Sequence, residues 1–270
     1  MRKTVFGSAA IAGLAIALTL GMHGIARADD NAAWEGIRND LYGTRAIEDG
    51  AGKIVLETPY RAEDASTVPV GIRLPADFGK NVKALTLVVD LNPSPVAATF
   101  AYGEAAGTGE RILSTRLRID RYSDVRVIAE TNDGKLYMTS HFVKASGGCS
   151  APAAKDAEEA AKSIGKMQIK TAIKSDGGAT QEAQVMIKHP NNSGMQMDQL
   201  TGLYTPAHFV NMIEVRTGPK LIFTMTGGIS ISENPHFRFS YQGNPSDAMS
   251  VKAEDSKGNV FNGQSTAGQS

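Results

Sequence analysis

Apolar and polar residues alternate in short runs along most of this chain. Val68 to Leu74 (VPVGIRL), Val82 to Asp90 (VKALTLVVD), Val96 to Tyr102 (VAATFAY), Arg111 to Ile119 (RILSTRLRI) and Asp124 to Glu130 (DVRVIAE) each repeat with a period of two. Successive side chains of a strand face opposite ways, so this period predicts half-buried β-strands. Asn132, Asp133 and Gly134 follow the last run and predict a tight hairpin turn built on positive φ angles, leading into TNDGKLYMTSHFV. The pattern resumes with Met167 to Lys174, a turn at Asp176 to Gly178, and Gln181 to His189. Further strands are expected at AHFVNMIEVR, KLIFTMT, HFRFSYQ and AMSVKAED, each bounded by Gly, Pro or Asn. The fold class is therefore all-β, with antiparallel sandwiches preceded by a short amphipathic segment, AAWEGIRNDLYG. Between the two sets of strands lies APAAKDAEEAAKSIGK, rich in Ala, Glu and Lys, which reads as a partly helical linker.

The first residues change the expected compartment. Arg2 and Lys3 precede an apolar run from Ala9 to Leu20 and then Ala26, Arg27 and Ala28, the layout of a secretory signal peptide cleaved before Asp29. Its apolar core is too short to span a bilayer, and no longer apolar run follows, so a bacterial periplasmic protein is expected. Removing residues 1–28 takes away three basic residues and no acidic ones. That leaves 25 Lys plus Arg against 28 Asp plus Glu, a mature charge of about −3. A slightly acidic chain without a basic block gives no electrostatic reason to expect nucleic acid.

Export sharpens the meaning of the single cysteine, Cys149, because exported proteins use cysteines mostly in disulfide pairs. An unpaired thiol could be a small buried hydrophobe, an intermolecular disulfide partner, a metal ligand or a reactive group. It follows Gly147 and Gly148 and precedes Ser150, Ala151 and Pro152, beyond the last strand of the first set, so the sulfur is expected to be mobile and unshielded. Lys144 and Lys155 stand near enough in sequence to favour the thiolate weakly. His141, eight residues away on a strand, reads as an ordinary surface residue and not as a base held for Cys149. A second cluster, HPNNSGMQMD with His208 beyond it, offers His189, Met195, Met197 and His208 as soft ligands for Cu(I); its plainer reading is a loop whose methionines cover apolar surface. No phosphate loop, nucleophile elbow, metalloprotease helix or dinucleotide fingerprint is present.

Several longer segments carry a family resemblance. VVDLNPSPVAATFAY, RILSTRLRIDRYSDVRVIAETNDGKLY and FVKASGGC resemble the SoxY subunit of the periplasmic thiosulfate-oxidising system. IKHPNNSGMQMDQLTGLYTPAHFVNMIEV, GGISISENPHFRFSY and VKAEDSKGNVF resemble its SoxZ partner, in matching order. The resemblance implies a fused SoxYZ-type carrier in four parts: a signal peptide (1–28), a SoxY-like immunoglobulin-like sandwich (29–146), a Gly-Gly-Cys arm and linker (147–165), and a SoxZ-like sandwich (166–270). It implies that Cys149 carries a covalent sulfur adduct on a flexible arm of Gly147 and Gly148, with no catalysis of its own and no cofactor. Partners would be periplasmic enzymes, either Sox-type or a quinoprotein (PQQ) dehydrogenase system with its cytochrome, the branch that fused chains resemble. Fusion satisfies internally what would otherwise be a heterodimer interface, so a monomer is expected. Two departures stand out. The cysteine is internal and followed by Ser150, Ala151 and Pro152 where the family has two glycines, and His189 to Met195 reads HPNNSGM where SoxZ has His-Pro-Met-Glu-Thr-Gly.

Overall fold

The structure, a computed structural model, describes residues 24–152, 162–173, 180–198, 201–244 and 246–265. The body of the expected signal peptide, most of the Ala/Glu/Lys-rich linker and the turn expected at Asp176 to Gly178 lie outside these residues. Helix α1 (Gly24–Tyr42) precedes the first strands, β1 (Ile47–Asp49) and β2 (Val55–Glu57). Then come β3 (Val68–Leu74), the short helix α2 (Ala76–Gly79), β4 (Val82–Val89), β5 (Val96–Tyr102), β6 (Arg111–Leu117), β7 (Ser123–Thr131) and β8 (Leu136–Val143). The second half supplies β9 (Met167–Ile173), β10 (Thr180–Ile187), β11 (Val210–Thr217), β12 (Lys220–Gly227), β13 (His236–Gln242), β14 (Met249–Asp255) and β15 (Val260–Gln264).

Alternation does what the sequence period requires: β3 and β6 bury every second residue. The strands form two layers, a nine-stranded sheet ordered β1-β8-β7-β4-β5-β12-β11-β14-β15 and a six-stranded sheet ordered β2-β3-β6-β13-β10-β9. Both layers run across the two halves. β5 pairs antiparallel with β12 and β6 with β13, so main-chain hydrogen bonds join first-half strands to second-half strands in each sheet. The cores merge as well: Phe100 stacks edge-on against Phe223 and Phe237, with centroids 5.6 and 6.0 Å apart, and one apolar cluster extends through both halves. The halves are sandwiches that pack together and share both sheets.

Trp34 of α1 closes the outer face of the nine-stranded sheet. It packs on Val88, Ile128 and Leu136 and lies 4.6 Å over the guanidinium of Arg126, which forms a buried ion pair with Asp90 at 2.7 Å. In the β7–β8 turn only Gly134 has a positive φ, at +82°. Asp133 instead shapes the turn with its carboxylate, accepting the Thr131 hydroxyl and the Lys135 N–H, so two of the three expected left-handed residues were not needed.

Candidate functional site

Beyond β8 the chain turns inward. Gly147, at φ +78°, donates its N–H to the Asp120 carbonyl at 2.8 Å, and Gly148 donates to Ile119 at 3.0 Å. The backbone of Gly148 passes so close to Ala65 that a Cβ would overlap the Ala65 carbonyl and stand 2.7 Å from that of Ile119. Glycine is therefore required at 148 for close approach, a different reason from arm mobility. Ser150 turns the chain back out, its N–H and hydroxyl both donating to the Gly147 carbonyl at 3.2 Å. Cys149 lies beneath this turn with 0% of its surface exposed. The sulfur expected to be mobile and unshielded is docked and covered, because a loop of the second half closes over it.

That loop follows β10 and runs from Lys188 to Phe209. Ser193 donates its hydroxyl to the Cys149 carbonyl in a short hydrogen bond. Arg118, one residue past β6, donates through Nη1 to the Gly148 carbonyl at 3.1 Å and reaches the Asn191 carbonyl through Nη2 at 3.5 Å. Gln196 braces Ser193 by accepting its N–H at 3.0 Å. Arg118 and Gln196 are each 1% exposed, and the Arg118 Nε and Gln196 Nε2 donors have no partner among the described residues. Burial pushes the Cys149 thiol up to about 12; Asp120 adds to the shift and Arg118 opposes it. Docked, Cys149 is a protonated thiol at neutral pH and a poor nucleophile.

The other expected neighbours of the sulfur are placed elsewhere. Lys144 lies 4.8 Å over the Tyr60 ring, Lys155 falls outside the described residues, and His141 is exposed on β8 with Thr58 3.4 Å from its Nδ1. The cation at the cysteine is Arg118, which strict alternation through RILSTRLRI assigns to the outer face. The strand ends at Leu117, and Leu117, Arg118 and Ile119 are buried in succession.

His189 and His208 do come together, with ring centroids 4.6 Å apart, around Asp255, the last residue of β14. His208 Nε2 donates to Asp255 Oδ2 at 2.7 Å, and His189 Nε2 lies 3.5 Å from the same oxygen. Asp255 also accepts the N–H groups of Lys257 and Asn259 and the Asn259 amide at 2.8–3.0 Å. Burial opposes ionisation of Asp255, but these hydrogen bonds outweigh it and hold the carboxyl well below the usual range. Burial lowers His189 to about 4, with His208 adding to the shift, so its imidazole is neutral. The three potential ligand atoms lie within 4.8 Å of one another. A metal-binding histidine normally donates its second ring N–H outward; here His189 Nδ1 accepts the Asn191 N–H at 3.0 Å, which leaves the proton on Nε2, the atom a metal would need. Met197 is 46% exposed, whereas the His189 side chain has no exposed surface. The arrangement is a carboxylate-centred hydrogen-bond cluster and not the Met/His set expected for Cu(I).

Asn191 connects the two groups of residues. It adopts φ +44°, a left-handed conformation that asparagine tolerates, and is fully buried. Its side chain donates to Ile231 at 3.2 Å and accepts from Val210 at 3.1 Å, while its carbonyl faces Arg118.

The fold is a strand-sharing pair of sandwiches with one covered cysteine at their junction. Residues 38–149 match the family model for "Sulfur oxidation protein SoxY" and residues 169–266 that for "Sulphur oxidation protein SoxZ". The chain belongs to the SoxYZ family of sulfur carriers, with both subunits fused into one polypeptide. The structure of the sulfur carrier protein SoxY from Chlorobium limicola f thiosulfatophilum is similar over 44% of this chain and 96% of that one, at 22% identity and a TM-score of 0.37. No curated protein matches the chain. No helix among the described residues is long and apolar enough to cross a membrane.

Proposed function

We propose that this protein is a periplasmic, non-catalytic carrier that holds a sulfur-type adduct on Cys149 and presents it to partner enzymes. The observation that carries the reading is the position of Cys149. It is the last residue of the SoxY match and the only cysteine in the chain, and its seat is made by both halves. Four hydrogen bonds hold residues 147–149: Gly147 to Asp120, Gly148 to Ile119, Arg118 to Gly148 and Ser193 to Cys149. Loading and delivery require these to break, so the carrier alternates between a docked state with an inert thiol and an undocked loop whose sulfur partners can reach. Because the cysteine is tethered on both sides, it enters a partner's site as a loop. Within this reading Sox-type enzymes or a quinoprotein dehydrogenase system with its cytochrome exchange the cargo, and the fused chain works as a monomer.

The test is intact-mass spectrometry of the protein purified from its own periplasm without reductant, before and after thiol reduction. A reducible increment mapping to Cys149, absent from the Cys149→Ser chain, is the expected result. A free thiol in every preparation, or a serine chain that supports the host pathway as well as the native one, rejects the reading.

A further inference from the structure

The side chain that latches the Cys149 turn carries a charge that nothing beside it balances. Arg118 is 1% exposed, and its close partners are two neutral carbonyls, Gly148 at 3.1 Å and Asn191 at 3.5 Å. Its Nε–H has no hydrogen-bond partner, and no carboxylate among the described residues lies within ion-pair distance of the guanidinium. Glu233 and Asp64 attract it from further away, and the Asp64 carboxylate is already engaged by Ser66 and Thr67. Burial outweighs these attractions and that of Cys149, and holds the guanidinium below its ordinary value. The backbone of Arg118 is anchored: its N–H donates to the Ser230 carbonyl and its carbonyl accepts the Asn92 amide, both at 2.7 Å. The residue therefore stays behind when residues 147–150 lift, and water takes the place of the departing Gly148 carbonyl. Taking an ion out of water costs more than a hydrogen bond to one neutral carbonyl returns.

We propose that Arg118 is a spring built into the docked seat: its charge regains water when the turn lifts, so the residue that positions Gly148 also lowers the cost of releasing Cys149. The inference rests on the docked and undocked states of the carrier reading, and it names what keeps the docked state easy to open. Arg118 is a positioning residue, since it acts on the cysteine through the Gly148 carbonyl.

Arg118→Met keeps most of the length and bulk of the side chain while removing the charge and both hydrogen bonds. Release is read in the intact chain at pH 7 with the uncharged disulfide 4,4′-dithiodipyridine, at reagent concentrations low enough for the rate to follow the open population. The Met substitution should slow labelling of Cys149 about tenfold, although two bonds to the docked state are gone. A Met chain labelled as fast as the native one, or faster, overturns the proposal, because the bonds then outweigh the charge.

A second variant needs no neutral side chain at this position. In Arg118→Lys the docked amine is held below its usual value of about 10.4 by the same burial, while the open state restores that value. Opening then takes up a proton between the two values, so the open population falls as pH rises through this window. Arginine stays charged throughout, Asp64 and Glu233 stay ionised, and the open thiol ionises alike in both chains. The labelling rate of the Lys chain relative to the native one should therefore fall about tenfold from pH 7 to about 10. Lost packing or a lost hydrogen bond alone gives a ratio that does not move with pH, and a constant ratio overturns the proposal. Neither assay uses a natural cargo: a free thiol in every native preparation rejects the carrier and leaves these rates measurable, while a constant ratio rejects the spring and leaves the carrier intact.

Discussion

Two buried polar groups share the loop from Lys188 to Phe209, and they are built to opposite standards. Around Asp255 every strong acceptor position is used: His208, Lys257 and Asn259 all donate to it, and His189 stands 3.5 Å away. Around Cys149 the bonds are few, most are to backbone carbonyls, and two donors are left over. A buried carboxylate that accepts four hydrogen bonds resists opening because each lost bond strands a desolvated group, even though His189 Nε2 beside it has no hydrogen-bond partner. An under-bonded site loses less when it opens and gains when a ligand completes it. The first therefore fixes the loop as a platform, and the second lets a short segment leave that platform and return. Asn191, bonded to His189 on one side and to Arg118 on the other, aligns the two.

The comparison breaks most severely at Asp255. Asp255→Ala leaves His208, the Asn259 amide and two backbone N–H groups without their acceptor in a site 1% exposed. A loss of about 3 kcal/mol or more in unfolding free energy is expected. Chemical denaturation would measure it, and a loss under about 1 kcal/mol would mean the platform is not held by this carboxylate. Gly148→Ala attacks the other region: its Cβ overlaps the Ala65 carbonyl, so the segment must undock while the sheets stay intact. Labelling of Cys149 by an aromatic disulfide should accelerate about 100-fold with little change in global stability, since reactivity follows the open population. Unchanged labelling would show that the docked state is not what protects the thiol.

This contrast explains what could be read from the chain alone. Strands with one buried face, such as β3 and β6, announce themselves by alternation. Strands β1, β2 and β15 do not, being three to five residues long with mostly exposed or half-exposed side chains. The cysteine was conspicuous as the only one in an exported chain, but its burial comes from Ser193 and Asn191, more than 40 residues further on, and no local pattern encodes that. Arg118 is hidden because the alternation of RILSTRLRI runs to Ile119, two residues beyond the end of the strand at Leu117. Asp255 was hidden because its partners, His208 and Asn259, are joined to it only by the fold and by a turn.

Acid and alkali should separate the two regions. His189 is held neutral in the folded chain down to about 4, while the unfolded histidine takes up a proton near 6.5. The unfolded state therefore binds more protons between these values, and stability falls as pH drops from about 6.5 to 4. The depressed Asp255 carboxyl extends the loss below that range. Cys149 acts at the other end. Its folded thiol keeps its proton up to about 12, while the unfolded thiol ionises near 9, so the docked state loses stability as pH rises between them. Each limb is worth at most a few kcal/mol. Urea titrations across pH should show the acid limb flattened by His189→Gln and the alkaline limb absent from Cys149→Ser. If each substitution instead flattened the opposite limb, the assignment of the two windows would fail.

The finest distinction concerns Ser193, which belongs to the platform by sequence and to the seat by contact. Its N–H is held by Gln196 and its hydroxyl by the Cys149 carbonyl. Ser193→Ala removes the bond to the Cys149 carbonyl, leaving that buried carbonyl unsatisfied when the segment is docked and solvated when it is not, and it also takes away the acceptor of the Met195 N–H at 3.2 Å. The substitution should therefore favour the open state by about 1 kcal/mol, which is close to a fivefold acceleration of thiol labelling. Because the hydrogen bonds around Asp255 and His189 do not involve Ser193, the acid limb of the stability profile should not move. A Ser193→Ala chain with native labelling kinetics but a shifted acid limb would place the hydroxyl's work in the platform, and the division between a fixed loop and a releasable segment would have to be drawn on the other side of this residue.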